Sequence, residues 1–142
     1  MKKNPHILMK AAFAAIAVVA ISFIGCTTDE DLGPTDARDK YIGTWSCTET
    51  DAGNVQSTFT VSITKKTSDS TRVFIGNIGN IGSSYKPEAI VNGNSISIPS
   101  FNAQGYTVSG SGSYSSSSGN INMNYTVNDG NGNDAFTATL TK

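Results

Sequence analysis

Side chains that commonly carry out catalysis are scarce in this 142-residue chain. It contains one histidine, His6, and two cysteines, Cys26 and Cys47. Ser-His-Asp triads, Cys-His pairs and HExxH zinc sites each need an imidazole, and His6 lies in an N-terminal segment that we expect to be removed. The mature chain would then have no histidine, so we predict that the protein is not an enzyme.

The carboxylates do not suggest catalysis either. A glycosidase needs two of them facing each other roughly 5–10 Å apart, yet outside residues 26–40 most lie in or beside predicted turns. The exceptions are Glu49 and Glu88, and Glu88 falls on the outward-facing parity of its strand. The stretch 129–134 places oxygen side chains like a calcium loop but lacks the glycine and the glutamate that such a loop needs. We predict no catalytic residues, no metal site and no cofactor.

The thiol of Cys47 has no cysteine partner if Cys26 is modified. An unpaired thiol in an exported protein is either a buried small hydrophobe or a reactive group. Its charged neighbours in sequence, Glu49 and Asp51, are acidic and would not lower its pKa. We therefore expect Cys47 to be buried and inert.

The N-terminus has the pattern of an export signal. Lys2, Lys3 and Lys10 precede an uncharged apolar run at residues 11–24. This run is shorter than the roughly 20 residues that a permanent membrane-spanning helix needs. Residues 1–25 are therefore predicted to be a signal peptide, which is cleaved.

The sequence Phe23-Ile24-Gly25-Cys26 resembles the lipobox of bacterial lipoproteins, in which a small residue precedes the cysteine that becomes residue one. The resemblance implies that Cys26 is the lipidation site and that its three acyl chains hold the protein at a membrane, since more than one chain is needed for stable anchoring. An ordinary secreted protein with a stray cysteine at the cleavage site is the alternative.

Residues 26–40 read as a lipidated acidic tether. The stretch Thr27-Thr28-Asp29-Glu30-Asp31 resembles the signal that sends lipoproteins of Bacteroidetes-type bacteria to the outer face of the outer membrane. The resemblance implies an outer-membrane protein displayed on the cell surface, and a plain solvated linker is the alternative. The remaining chain is close to neutral and has no basic face, so we expect no nucleic-acid partner.

The chain from Tyr41 to its end alternates between apolar and polar residues in short runs, with no helical periodicity. Period-two alternation between clusters of Gly, Asn, Ser and Asp is typical of β-strands. Eight strands are predicted, at residues 44–50, 56–66, 71–78, 85–91, 95–99, 105–115, 120–128 and 134–141.

The predicted connections are all short, and Asn92-Gly93 has the composition of a two-residue hairpin turn. Eight strands joined by such links favour an up-and-down meander, which lacks exposed edges only when it closes. We therefore predict an all-β domain at residues 41–142, an eight-stranded antiparallel up-and-down barrel preceded by the cleaved signal helix.

One parity of each predicted strand is apolar and should face the barrel interior. Large inward residues could line a ligand site: Trp45, Phe59, Val61, Val73, Tyr106, Val108, Tyr125 and Phe136. Gly110 and Gly112 share this parity. They either ease a bend of the strand or leave interior space for a ligand.

The first predicted strand opens with Tyr41-Ile42-Gly43-Thr44-Trp45, which resembles the Gly-x-Trp start of lipocalins and their calycin relatives. The whole chain resembles small lipocalin-like lipoproteins of Bacteroidetes-type bacteria. In lipocalins the tryptophan closes one end of the barrel against a basic residue near the last strand, and the basic residue there is Lys142. A β-sandwich with Trp45 in its core is the alternative.

Two functions remain open at this point. The first is a lipid-anchored, lipocalin-like barrel that binds a small apolar ligand in its interior. The second is a non-catalytic interaction protein with a packed core, an accessory subunit or inhibitor of an envelope protein. Asp69-Ser70-Thr71 also resembles an O-glycosylation acceptor of Bacteroidetes-type exported proteins, with Ser70 as the modified residue, and a plain polar turn is the alternative.

Overall fold

The computed structural model describes residues 35–142. The signal peptide, the lipidation site Cys26 and the acidic run at residues 29–31 lie outside the described residues. The described chain forms eight strands and a short 3-10 helix at Ile78–Asn80. The strands are β1 (Gly43–Asp51), β2 (Gln56–Lys65), β3 (Arg72–Gly76), β4 (Glu88–Asn92), β5 (Ser95–Ala103), β6 (Tyr106–Tyr114), β7 (Ile121–Asn128) and β8 (Asn133–Thr141).

The eight strands form one closed antiparallel barrel in sequence order. Each strand pairs with the next, and β8 closes the sheet by pairing with β1, with Cys47 opposite Leu140. The predicted up-and-down barrel is therefore confirmed, and the sandwich alternative is wrong. No helix in residues 35–142 is long and apolar enough to cross a membrane.

Three strand boundaries differ from the predicted ones by two residues or more. β3 ends at Gly76 and β4 begins at Glu88, because Asn77, Gly79 and Asn80 adopt positive φ angles of 66°, 63° and 54° that no strand can contain. β5 continues to Ala103 instead of ending near Pro99, with a register shift between Ile98 and Phe101. Proline lacks an N–H, so it interrupts the ladder there without ending the strand.

The connections alternate between two ends of the barrel. One end holds the connections at residues 52–55, 77–87, 104–105 and 129–132, and we call it the upper end. We call the lower end the one that holds residues 35–42, the three remaining connections and the C-terminal residue. The described chain thus begins and finishes at the lower end.

The lower end is closed by Tyr41 and Trp45, which are 0% and 1% exposed. The Trp45 indole Nε1–H donates to the Tyr41 carbonyl oxygen at 2.7 Å. Lys142 places its Nζ 4.5 Å from the centre of the Trp45 ring and donates to the Ile42 carbonyl at 3.1 Å. The tryptophan and the basic residue therefore meet at one closed end, as the lipocalin resemblance implied.

Residues 35–40, the last part of the predicted tether, pack against the lower end through Arg38, which is 8% exposed. Its Nη1 donates to the Lys66 and Asp69 carbonyl oxygens at 3.0 and 2.7 Å. The same guanidinium forms an ion pair with Asp36 and lowers the pKa of that carboxyl. The segment is thus fixed to the turn between β2 and β3.

The barrel interior is filled by apolar side chains. Twenty buried hydrophobic residues form a single cluster that runs from Tyr41 at the lower end to Ile78 and Tyr85 at the upper end. Ile78 and Tyr85 belong to the connection at residues 77–87, which folds over part of the upper end. Cys47 lies in this cluster as a free, fully buried thiol, as predicted.

Gly110 and Gly112 allow β6 to approach β7 closely. A Cβ at Gly110 would lie 2.4 Å from the Tyr125 Cβ and 2.5 Å from the Asn124 carbonyl oxygen, and one at Gly112 would lie 2.4 Å from the Asn122 carbonyl oxygen. The neighbouring strand already occupies this volume. The idea that these glycines leave interior space for a ligand is therefore wrong, and close strand approach explains them.

The first prediction concerns the closed lower end. Trp45→Ala should lower the free energy of unfolding by about 3–5 kcal/mol, as for other large-to-small aromatic changes in cores. Trp45→Phe keeps an aromatic ring, loses the bond to Tyr41 and should cost less. Urea titration followed by circular dichroism measures both. A loss below about 1 kcal/mol for Trp45→Ala would show that this contact contributes little.

The second prediction concerns the approach of β6 to β7. Gly110→Ala should destabilise the barrel by about 1–3 kcal/mol, because the added methyl group collides with backbone and Cβ atoms that cannot move freely. Gly132→Ala is the matched control, since nothing lies within 4 Å of a Cβ there. Equal melting temperatures for the two variants would contradict the close approach.

Candidate functional site

The inner face of the barrel is incompletely covered at the upper ends of β8, β1 and β2. Phe59 and Phe136 face inward but are only partly buried, and Ser57 on the same face of β2 is exposed. Residues of the same parity further down these strands, such as Val61 and Leu140, are fully buried. This part of the upper end is therefore where the interior meets solvent.

A concavity of about 340 Å³ lies at this point, and we call it the upper-rim concavity. Its lining residues are Asp51, Ala52, Gly53, Asn133, Asp134, Ala135 and Phe136. The last pair between β1 and β8 is Asp51 with Phe136, so the turn after β1 and the start of β8 separate beyond it. The volume suits a small molecule, for which sites are typically about 300–1,000 Å³.

Phe136 links this concavity to the core. Its ring stacks on Tyr125 with centres 5.3 Å apart and planes 27° from parallel. Tyr125 is 3% exposed, whereas Phe136 remains partly exposed. The stack is therefore a rigid aromatic surface, supported from below and accessible from the rim.

The Tyr125 hydroxyl reaches the carboxylate of Glu49, which is 5% exposed and faces inward between Cys47 and Asp51 on β1. Tyr125 donates to Glu49 Oε2, and the Ser57 hydroxyl donates to Oε1 at 2.9 Å. Both donors are neutral. A buried carboxylate is costly unless other groups compensate its charge, and in the described part of the chain no ion pair includes Glu49.

The environment of Glu49 keeps its neighbours protonated. Burial, with a contribution from Glu49, raises the pKa of Tyr125 far above its ordinary value, so the phenol remains a hydrogen-bond donor. Burial and the same negative charge raise the pKa of the Cys47 thiol to about 12. A thiol with this pKa is not a nucleophile at neutral pH.

The opposite side of the upper end is closed. The Tyr85 hydroxyl lies 3.0 Å from the Phe101 carbonyl oxygen and 3.3 Å from that of Tyr106, and its ring makes edge-to-face contacts with both side chains. Phe101 and Tyr106 are partly buried and pack against the core. Aromatic side chains thus cover this side of the upper end.

The eight residues predicted to line a ligand site all belong to the core cluster or pack against it. Trp45, Val61, Val73 and Val108 are at most 1% exposed and fill the interior. Phe136 reaches the upper-rim concavity. Their role as a ligand lining stays a prediction.

The sequence analysis did not assign a role to Glu49, Ser57, Asp51 or Asp134. A signal for Glu49 was present, because it shares the inward parity of Trp45 and Cys47 on β1. Ser70, the predicted glycosylation site, is exposed in the turn between β2 and β3, and its modification stays a prediction. In residues 35–142 no group of three or more His, Cys, Asp or Glu side chains is placed to hold a metal ion.

A larger concavity, about 440 Å³, crosses the upper parts of β6, β7, β8 and β1, and we call it the outer-face concavity. Its outward-facing lining is formed by Thr50, Ser109, Asn124, Thr126, Ala135 and Thr137. Ser109 and Thr126 share a hydrogen bond of 3.1 Å, and Thr137 donates to Asn124 at 3.1 Å. Asp51, Ala52, Gly110, Tyr125 and Phe136 complete the lining, so the concavity has both polar and apolar surface, with Asp51 as its charged residue.

Comparisons with known proteins identify a fold and no family. No family model matches the chain, and no curated protein matches it. A redesigned beta barrel, b11L5F_LGL, is 17% identical with a TM-score of 0.56, covering 75% of this chain and 95% of its own. EF1p2_mFAP2b bound to DFHBI is 15% identical with a TM-score of 0.53, covering 75% and 97%. The chain shares their barrel fold. At 17% and 15% identity the likeness shows the shared fold alone.

The third prediction tests whether the hydrogen bond between Tyr125 and Glu49 stabilises the fold. Tyr125→Phe should lower the free energy of unfolding by about 1–3 kcal/mol, because Oε2 loses its donor while buried. The double variant Glu49→Leu, Tyr125→Phe should recover to within about 1 kcal/mol of the wild type, since apolar replacement of a buried polar pair is often neutral. Urea titration of both variants measures this. A double variant less stable than Tyr125→Phe would show that the pair is a structural stabiliser.

Proposed function

We propose that this protein is a lipid-anchored lipoprotein of the bacterial cell envelope whose barrel binds a small, largely apolar ligand at its upper end. The observation that carries the proposal is the upper-rim concavity, which is lined by the partly exposed ring of Phe136. An apolar ring left accessible in a concave site gains free energy when a ligand covers it.

The packed core determines where such a ligand would bind. Large side chains, including Trp45, Ile63 and Ile75, are at most 1% exposed and occupy the centre of the barrel. The connection at residues 77–87 buries Ile78 and Tyr85 beneath it. The ligand would therefore contact the upper mouth and not the middle of the barrel.

The position of the proposed anchor is compatible with this site. The described chain begins at the lower end, so a lipid on Cys26 would precede the end that Trp45 and Lys142 close. The upper-rim concavity lies at the opposite end of the barrel from residue 35. The acidic run after Cys26 supports placement at the outer membrane, with the cell surface as the face that the resemblance favours.

The fold neighbours support ligand binding at the level of architecture. EF1p2_mFAP2b, a barrel similar to this one, was solved bound to DFHBI. A barrel of this size can thus hold a small molecule. The raised pKa of Cys47 argues against a nucleophilic role for this thiol.

A second candidate function is that of an interaction protein, and the outer face favours it. Strands β5, β6 and β7 contain no charged residue, and the outer-face concavity has one charged residue, Asp51, among its lining residues. Uncharged surface is cheaper to desolvate than charged surface, and charged residues are depleted in interface centres. If an envelope protein covers this face, the barrel serves as a binding surface and needs no ligand of its own.

The fourth prediction tests the anchor. Cys26→Ser should move the protein from the detergent phase to the aqueous phase in a Triton X-114 partition, because the acyl chains are lost. Cys47→Ala is the matched control and should stay in the detergent phase. Retention of Cys26→Ser in the detergent phase would mean that the apolar run at residues 11–24 holds the protein instead.

The fifth prediction tests the ligand. A binding fatty acid, sterol or aromatic metabolite should raise the melting temperature, with a gain of about 2.7 kcal/mol at a hundredfold excess over Kd. Phe136→Ala should abolish the shift, whereas Phe101→Ala, an inward aromatic on the closed side, should retain it. If a broad panel of apolar compounds shifts the melting temperature of neither the wild type nor Phe101→Ala, the interaction protein remains as the proposed function.

A further inference from the structure

We propose that the outer-face concavity binds a neutral saccharide, a ligand with many hydroxyl groups and no charge. The inference goes beyond the proposed apolar site at the upper rim and does not depend on it. It follows from the composition of the outer face, from the polar side chains that flank the concavity, and from amide N–H groups that the barrel leaves free.

The outer face of the barrel is divided into a charged part and an uncharged part. On β3 and β4 the outward residues include Arg72 and Glu88, which form an ion pair at 3.3 Å. On the other six strands of the described barrel the outward positions hold Ser, Thr, Asn, Gln, Ala and, at the bulge of β5, Pro. These six strands are neighbours, from β5 through β8 to β1 and β2. They therefore present one continuous surface of uncharged polar groups.

The concavity runs across four strands of this surface. The sheet register aligns four of its lining residues in one row across β6, β7, β8 and β1: Gly110, Tyr125, Phe136 and Asp51. Their side chains belong to the inward parity, so the row presents its backbone to the outside. Neighbouring strands lie about 4.8 Å apart, which makes the row roughly 14 Å long. This length and a volume of about 440 Å³ suit a short oligosaccharide.

Two rows of outward side chains flank this floor. Each row contributes three lining residues, which are Ser109, Thr126 and Ala135 in the upper row and Asn124, Thr137 and Thr50 in the lower row. A hydroxyl can donate and accept a hydrogen bond, and an amide side chain can do both at once. Sugar hydroxyls have the same dual character. The two rows can therefore pair with them in either direction.

The amide of Asn124 is held in place with its donors free. Its Oδ1 accepts a hydrogen bond from Thr137 at 3.1 Å, and within residues 35–142 its Nδ2 donates to no protein group. Asn122, the next outward residue of β7, has the same arrangement with Thr139 at 3.2 Å. Both asparagines are exposed. Because the threonines already orient these amides, a ligand that accepts from their N–H groups restricts little further motion.

The lining also offers small apolar surface between its polar groups. Ala135 contributes a single exposed methyl group, and beside it the hydroxyls of Ser109 and Thr126 share a hydrogen bond of 3.1 Å. A saccharide presents C–H groups on the faces of its rings and hydroxyls at their edges. Small-molecule sites likewise combine apolar surface with a few placed polar groups, so the lining matches both parts of a sugar ring.

The charge of this face favours a neutral saccharide over a protein partner. Proteins contain about 25% charged residues, and charges buried against this face would lose water without gaining an opposite charge. A neutral saccharide has no charge to desolvate. The charged lining residue, Asp51, already accepts from the Val55 N–H at 2.8 Å, and its charge disfavours an anionic saccharide. An envelope protein is the competing occupant, and the experiment separates the two.

The test is native electrophoresis of the full-length protein, in a nonionic detergent, through gels that each contain one polysaccharide. The neutral polymers are dextran, mannan, laminarin and galactomannan, and dextran sulfate is the anionic comparison. We expect at least one neutral polymer to slow the wild type in proportion to its concentration, and oligosaccharides prepared from that polymer to reverse the effect. Dextran sulfate should not slow the protein, because the face has no basic group for it.

Variants locate the site. Asn124→Ala should weaken the affinity about fivefold, because it removes the oriented amide. Thr126→Lys should abolish the retardation, because it places a long charged side chain in the concavity. Asn102→Ala is the matched control: this exposed amide is likewise held by a threonine, Thr107, at 2.8 Å, but it lies outside the concavity, and its loss should change the affinity by less than about twofold. Circular dichroism checks that each variant is folded.

Each outcome decides the proposal. Retardation that Asn124→Ala and Thr126→Lys weaken, and that Asn102→Ala leaves unchanged, supports the saccharide site. Retardation that survives both site variants overturns it, and so does retardation by dextran sulfate alone or by none of the five polymers. If no neutral polymer slows the protein and an envelope protein co-purifies with the wild type but not with Thr126→Lys, the face belongs to a protein partner. The apolar site at the upper rim is tested separately, by the melting temperature of Phe136→Ala.

Discussion

The pairing of β8 with β1 is the contact on which the rest of this structure depends. It satisfies the backbone groups of two strands that would otherwise be exposed edges, and it gives the sheet an inside. Because side chains alternate with a period of two, closure of the sheet places Cys47, Glu49 and Asp51 together on the interior face of β1. A slip of one residue would turn this whole set outward. The same pairing brings Asp51 beside Phe136, so closure of the barrel also builds the upper-rim concavity.

Most of the fold was readable from alternation and turn composition. The strand count and the strand order followed from these patterns. The turn between β4 and β5 lies one residue after the predicted Asn92-Gly93 pair, because Asn92 pairs with Ser95 and leaves Gly93, at a φ of 57°, and Asn94 as the turn residues. The connection at residues 77–87 was harder to predict, because Ile78 and Tyr85 are apolar and looked like parts of strands. Both are buried, but in a cap over the barrel interior. Local alternation cannot distinguish an apolar residue in a strand from one in a cap, since both positions bury the same apolar side-chain surface.

The candidate site was less predictable, for a physical reason. Alternation tells which face a side chain occupies and says nothing about its depth along the barrel. Trp45 and Phe136 are both inward aromatics, yet one seals the lower end and the other opens at the upper rim. Gly110 shows the same limit: its parity was correct, but only the distance between β6 and β7 reveals that no space remains there. Accessibility depends on the ends of several strands at once.

The distribution of charge gives the two ends different properties. At the lower end Arg38, Lys65 and Lys142 each contact carboxylates, carbonyl oxygens or the Trp45 ring. Groups of the protein itself therefore compensate these positive charges, and the contacts hold the chain in place. At the upper rim the carboxylate of Glu49 is held only by neutral hydroxyls. An apolar residue could fill the place of Glu49 at little cost to stability, because replacing buried ionic groups by hydrophobic ones is often neutral or favourable.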